Sequence, residues 1–250
     1  MKFSAYILLI CTVALQACKT KELKYGFIRK KKTDSYRQII DLKEGSLLVM
    51  LHSRQNQIDT LKNMERSEEA VSIQKKQSEK NKAIIKGFHK HFDFCPVYFF
   101  MNTQANDLIE KGADSVTFLN DSLKQDTSIR LTSKYFLVAE FGNMQMDTAK
   151  YYNGDRLSTQ DTGAWRKPYY YSTSTFDYQA FIFESPQLVQ LKSPFPYFVM
   201  ITETERKILL LDSIVTKADR RLKYFYQKAN EQILIKRFRP YFKDKIKISN

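Results

Sequence analysis

Four side chains able to bind a metal or move a proton fall close together in this sequence: His89, His91, Asp93 and Cys95, alternating with Lys90, Phe92 and Phe94. In an extended strand a period of two puts all four on one face. His52, at the end of an apolar run, is a further candidate. Imidazole, carboxylate and thiolate together suit zinc or copper, and Cys95 with His52 or His91 has the composition of a thiol–imidazole pair. The competing reading starts from Phe88 and Phe92, whose spacing of four belongs to a helix, on which His89 and His91 diverge. Cys95 beside Pro96 is then a small buried hydrophobe. The sequence on balance predicts no metal and no cofactor. A small metal- or thiol-dependent enzyme using this stretch is the alternative.

Other chemistry lacks its motifs. There is no Gly-x-Ser-x-Gly elbow for a nucleophilic serine and no Cys-x-x-Cys for dithiol exchange. The chain has seven glycines, and none forms a phosphate-cradling loop at the start of a helix. Asp147, Asp155 and Asp161 are carboxylates without a spacing that selects a pair for glycoside hydrolysis. The better lead is aromatic. Residues 143–175 read as a long loop in which Tyr151, Tyr152, Trp165, Tyr169, Tyr170 and Tyr171 sit among Asn, Asp, Gly and Ser. Flat apolar faces beside hydrogen-bonding groups grip glycans or protein partners.

The elements that must position these residues alternate between strand and helix. Gly45 precedes the unbroken apolar run Ser46 to Leu51, which reads as an internal strand buried on both faces. A helical pattern follows from Ile58 to Phe92, as one helix or as two joined near Arg66-Ser67, with the polar stretch Gln74 to Lys82 as a solvated face. Further strands are predicted at 96–101, 116–119, 135–141, 178–183, 188–191 and 197–201, with a short helix through Leu108 and Ile109. Steps of three and four from Ile208 to Ala229 predict a long amphipathic C-terminal helix. The fold class is therefore α/β: a single domain with a mixed sheet of about six to seven strands flanked by helices.

The net charge of +14 over 250 residues suggests nucleic acid until it is divided. Lys2 contributes +1, residues 19–32 contribute +6 and residues 217–247 contribute +8, leaving the body from 33 to 216 at −1. A near-neutral body with basic ends argues against nucleic-acid binding. At the start, Lys2 and the apolar run Tyr6 to Leu15 have the order of a secretory signal, too short to span a bilayer permanently. Leu15-Gln16-Ala17-Cys18 then resembles the lipobox of bacterial lipoproteins, which implies lipid attachment at Cys18. Lys19 follows in place of an Asp, and the resemblance implies the periplasmic face of the outer membrane. Cys95 is the one thiol left after the signal and the lipid, so no disulfide forms within the mature chain.

Leu48-Val49-Met50-Leu51-His52-Ser53-Arg54, Asn81-Lys82-Ala83-Ile84, Phe92-Asp93-Phe94-Cys95-Pro96-Val97-Tyr98-Phe99-Phe100 and Pro194-Phe195-Pro196-Tyr197 carry a wider likeness. On these segments the chain resembles uncharacterised secreted and lipid-anchored proteins of Bacteroidota-type bacteria. The resemblance implies class and location and brings no activity with it. The expected organisation is a signal peptide at 1–17, a lipid-anchored basic tether at 18–34, one α/β domain at 35–242 and a basic tail at 243–250. The expected function is a non-enzymatic envelope lipoprotein that binds a protein partner or cell-wall glycan.

Overall fold

The computed structural model describes residues 30–144, 179–208 and 211–246. The signal peptide, Cys18 and the six aromatic residues from Tyr151 to Tyr171 lie outside the described residues. A helix over residues 30–44 (α1) opens the described fold, beginning inside the stretch read as a tether. It leads into β1 (Ser46–Leu51), α2 (Gln55–Asn63), α3 (Ser67–His91) and β2 (Val97–Met101). A short 3-10 turn, α4 (Ala105–Lys111) and a second 3-10 turn precede β3 (Phe136–Asn143). After β4 (Gln179–Glu184) and β5 (Phe198–Met200) the chain ends in α5 (Glu203–Ile208) and α6 (Leu211–Ile246).

The described strands form one sheet in the order β2-β1-β3-β4-β5. β1 runs parallel to both neighbours, with Val49 level with Phe99 on one side and Ala139 on the other. β4 and β5 extend the sheet antiparallel. All six residues of β1 are buried, as the unbroken apolar run demands of a strand covered on both faces. Gly45 makes its entry possible: a Cβ there would lie 2.5 Å from the Tyr135 carbonyl oxygen and 2.7 Å from that of Asp41.

Two cores sit on the two faces. The larger joins Leu47, Val49 and Leu51 to Ile39 and Leu42 of α1, Ile84 and Phe88 of α3, and Ile214, Val215 and Leu222 of α6. Phe88 stands at its centre, with ring centroids 5.9 Å from Phe99 and 5.5 Å from Phe181. Tilted and edge-on rings of this kind add about 0.5–1.5 kcal/mol each beyond the area they bury. The smaller core gathers Leu48, Met50, Phe100 and Val138 under Leu108, Val116 and Phe118.

Among the described residues the sheet has five strands where six to seven were expected. Val116 and Phe118 are buried as a strand pattern requires, yet among the described residues the one backbone hydrogen bond between the segment and β2 is from the Leu119 N–H to the Phe99 carbonyl. Asn120 then turns the chain by accepting the N–H groups of Ser122 and Lys124 on its side-chain oxygen. Residues 188–191 likewise form a single bridge, Glu184 to Gln190, because the return from β4 is tight and Leu188 adopts φ 55°. The helical stretch after β1 is two helices, broken at Glu65, which has φ 58°.

Candidate functional site

The strands β1, β2 and β3 run in one direction, so their carboxyl ends share one edge of the sheet. From β1 the chain crosses to β2 on one side, and from β3 it continues to β4 on the other. The crevice between β1 and β3 is therefore a topological switch point, the place where open α/β sheets take ligands. A cleft of about 290 Å³ opens there. His52 and Arg54 line it from the end of β1, Asn102 from the end of β2, and Phe141, Gly142 and Asn143 from the end of β3. Gln77, Lys80, Asn81 and Ile84 of α3 form one wall, and Gln179 and Ile201 complete the rim.

Local hydrogen bonds hold this edge in shape. The Ser53 N–H donates to Asn102 Oδ1 at 3.0 Å, tying the end of β1 to the end of β2. Asn81 Nδ2 donates to the His52 carbonyl at 3.0 Å, and Gln77 Nε2 donates to Asn81 Oδ1 at 2.9 Å. Both amides are buried and each has a partner, as burial of a polar group requires. The expectation of a solvated face over Gln74 to Lys82 is corrected here: Gln77, Lys80 and Asn81 face the sheet edge. The signal was in the spacing. Ala70, Gln77, Asn81, Ile84 and Phe88 are buried on one seam of α3, and the apolar period simply passes through two amides.

Two cations face the cleft. Arg54 sits in the left-handed region at φ 53° and ψ 27°, directly before α2. A side chain is rarely held in that conformation, which suits glycine better. Lys80 is half-buried, and burial followed by the nearby Arg54 charge lowers its pKa from the ordinary lysine value. Among the described residues neither has a carboxylate partner.

Beneath the cleft a second group of titratable residues lies on the smaller-core face. His52 Nε2 is 3.1 Å from Glu140 Oε2, without good hydrogen-bond alignment. Gly142 leaves room for that carboxyl, since a Cβ there would come 2.8 Å from Glu140 Oε1. Glu184, on the neighbouring strand, is buried with one oxygen lacking a hydrogen bond. Burial, and then the Glu140 charge, push its carboxyl up to about 7.

The His-Asp-Cys stretch does not assemble. α3 runs to His91, so His89 and His91 point apart and find separate carboxylates, Asp121 at 2.9 Å and Asp212 at 3.2 Å. Asp93 pairs with Lys223. Cys95 is buried in the larger core, where burial pushes its thiol up to about 12, the reverse of what a nucleophile needs. Cys95 precedes the amino end of β2 while His52 follows the carboxyl end of the parallel β1, so the two lie at opposite ends of the sheet. Among the described residues no three His, Cys, Asp or Glu side chains gather as a metal site.

A second depression, of about 430 Å³, follows the outer edge of β2 between His89, Tyr98 and residues 119–122. Its one imidazole is already paired with Asp121. No described helix is long and apolar enough to cross a membrane. A scan of the chain against protein-family models, and searches of curated proteins and of solved structures, each found no match.

Proposed function

We propose that this chain is a non-enzymatic binding protein of the cell envelope, held by lipid on Cys18 at the periplasmic face of the outer membrane. Its ligand site is the cleft at the carboxyl ends of β1, β2 and β3. The observation that carries the reading is the chemistry of the wall: five amides, two cations and one imidazole, with no hydroxyl, thiol or carboxyl side chain among the described lining residues. Such a wall can hold a polar molecule, and it lacks the nucleophile or paired carboxyls that would cleave one. The sequence's aromatic candidates, Tyr151 to Tyr171, lie on the stretch joining Asn143 and Gln179. Those two residues are paired across β3 and β4 and both line the cleft, which puts the two ends of that stretch at the site. This supports a protein partner or cell-wall glycan as the larger body from which the ligand comes. The likeness to secreted and lipid-anchored Bacteroidota-type proteins is part of the same proposal.

The test is a thermal-shift screen of the full chain in detergent against monosaccharides, uronic acids, amino acids and short peptides, with Asn143→Trp as the blocked-cleft variant. A ligand at a hundredfold excess over its Kd stabilises by about 2.7 kcal/mol, a rise of several degrees. We expect such a rise, lost in Asn143→Trp. A screen in which every stabilising compound acts equally on the blocked variant, or in which none stabilises, overturns the reading.

A further inference from the structure

We propose that the cleft takes a small organic anion, a carboxylate or phosphate carried on a hydroxylated body, with its charged group between Arg54 and Lys80. The inference rests on the cleft being the binding site and adds the class of ligand.

Charge comes first. Arg54 and Lys80 line the same cavity, and none of its described lining residues is acidic. Some cations of this chain are neutralised by a carboxylate, as Lys111 is by Asp107 at 2.8 Å and Lys217 by Glu205 at 2.5 Å. Among the described residues Arg54 donates to Gln57 at 3.5 Å and has no carboxylate partner, and the Arg54 charge acts on Lys80. Two like charges lining one cavity, one of them half-buried, repel each other, and an anion between them removes that repulsion. The guanidinium fork matches the two oxygens of a carboxylate or phosphate, and the ammonium adds a point charge.

The positions are built rather than incidental. Arg54 is fixed by a left-handed backbone immediately before α2, whose first turn contributes partial positive charge on the same side. Lys80 lies next to Asn81, which is buried and bonded to the His52 carbonyl, so the α3 backbone that carries it cannot drift from the edge of the sheet. Around the two cations the amides of Asn102, Asn143 and Gln179 offer both donors and acceptors, as hydroxyl groups require. A volume of about 290 Å³ is at the small end of ligand sites, which fits one sugar or amino-acid-sized molecule.

The experiment compares three probes that share one body: glucose, glucuronate and glucose 6-phosphate. Each is titrated calorimetrically into the full chain in detergent, at low and at high sodium chloride. At least one of the two anions is expected to bind more tightly than glucose, to weaken with salt, and to lose about tenfold or more in affinity in Lys80→Met and in Arg54→Gln. Circular dichroism and melting of the two variants check that they fold; if one fails to, the other decides. Which anion binds distinguishes a carboxylate from a phosphate source. Glucose binding as tightly as both anions, or anion binding unchanged in the variants, overturns the anion proposal and leaves the cleft reading standing. No binding of any probe, while a neutral compound from the screen binds and is lost in Asn143→Trp, has the same meaning. No cleft-dependent ligand at all sinks both.

Discussion

Glu184 carries a carboxyl that burial, and then the neighbouring Glu140 charge, hold protonated to about pH 7. Its folded pKa is raised, so between its ordinary value of 4.5 and about 7 the folded chain keeps a proton that the unfolded chain has lost. Stability from this group is therefore full below about pH 4.5 and falls as pH rises through 7. At one pKa unit per 1.36 kcal/mol the loss is roughly 1–3 kcal/mol. Glu184→Gln, a neutral side chain of the same shape, is expected to remove that slope and to be the more stable protein at pH 8. Urea unfolding of both proteins at pH 4.5, 6 and 8 checks it, and parallel profiles would contradict the assignment. At the same scale, Cys95 shows why a residue type alone does not make a site. Its spacing from His91 and Asp93 suggested ligation, and its burial among Phe88, Phe94 and Leu47 makes it a small core side chain.

At the scale of elements, α5 begins with a reciprocal cap. The Glu205 N–H donates to Thr202 Oγ1 at 3.3 Å, while the Thr202 N–H donates to Glu205 Oε2 at 3.0 Å. Ser213 and Lys217 of α6 donate to the other Glu205 oxygen, so one carboxylate joins the start of α5 to α6. Burial pulls this carboxyl up, and the bonds from Lys217, Thr202 and Ser213 outweigh it and hold it at about 2. Its folded pKa is depressed, so the stabilisation is present above about 4.5 and is lost as pH falls toward 2. Glu205→Gln is expected to cost roughly 1–3 kcal/mol at pH 7 and nothing near pH 2. An equal cost at both pH values, measured by denaturant unfolding, would show that packing rather than charge holds the cap. α6 is secured at a second point, where Asp219 Oδ1 accepts the N–H groups of Asp93 and Phe94 ahead of β2. The stretch that first suggested metal binding thus serves as the joint between α3, β2 and α6.

For the whole molecule, the larger core and the cleft divide the work. α1, α3 and α6 close one face of the sheet, α4 and the segment after it cover part of the other, and among the described residues the carboxyl edge of the parallel strands forms the cleft. The proposed anchor belongs to this scale as well. Cys18→Ser is expected to move the chain from the membrane pellet to the soluble periplasmic fraction without changing its melting temperature. Continued pelleting would remove lipid attachment from the proposal. Much of this architecture was legible in advance, because the unbroken apolar run Ser46 to Leu51 can be satisfied only by burial on both faces, and the three–four steps read from Ile208 to Ala229 by a helical seam, of which α6 carries Leu211 to Ala229 while Ile208 ends α5. The α/β class, the internal place of β1 and the closing helix follow from such local periods. What the tertiary structure alone decided is where side chains distant in sequence meet. Period two at Val116 to Leu119 marks burial without guaranteeing a ladder, because hydrogen bonding to a neighbour depends on where the Asn120 turn sends the chain. Arg54, Lys80 and Asn143 share no local pattern. They come together because β1 and β3 run parallel with the same edge forward and α3 packs back across their ends. Charge and amide groups are recognised by position in space, and only the folding of the sheet supplies that position.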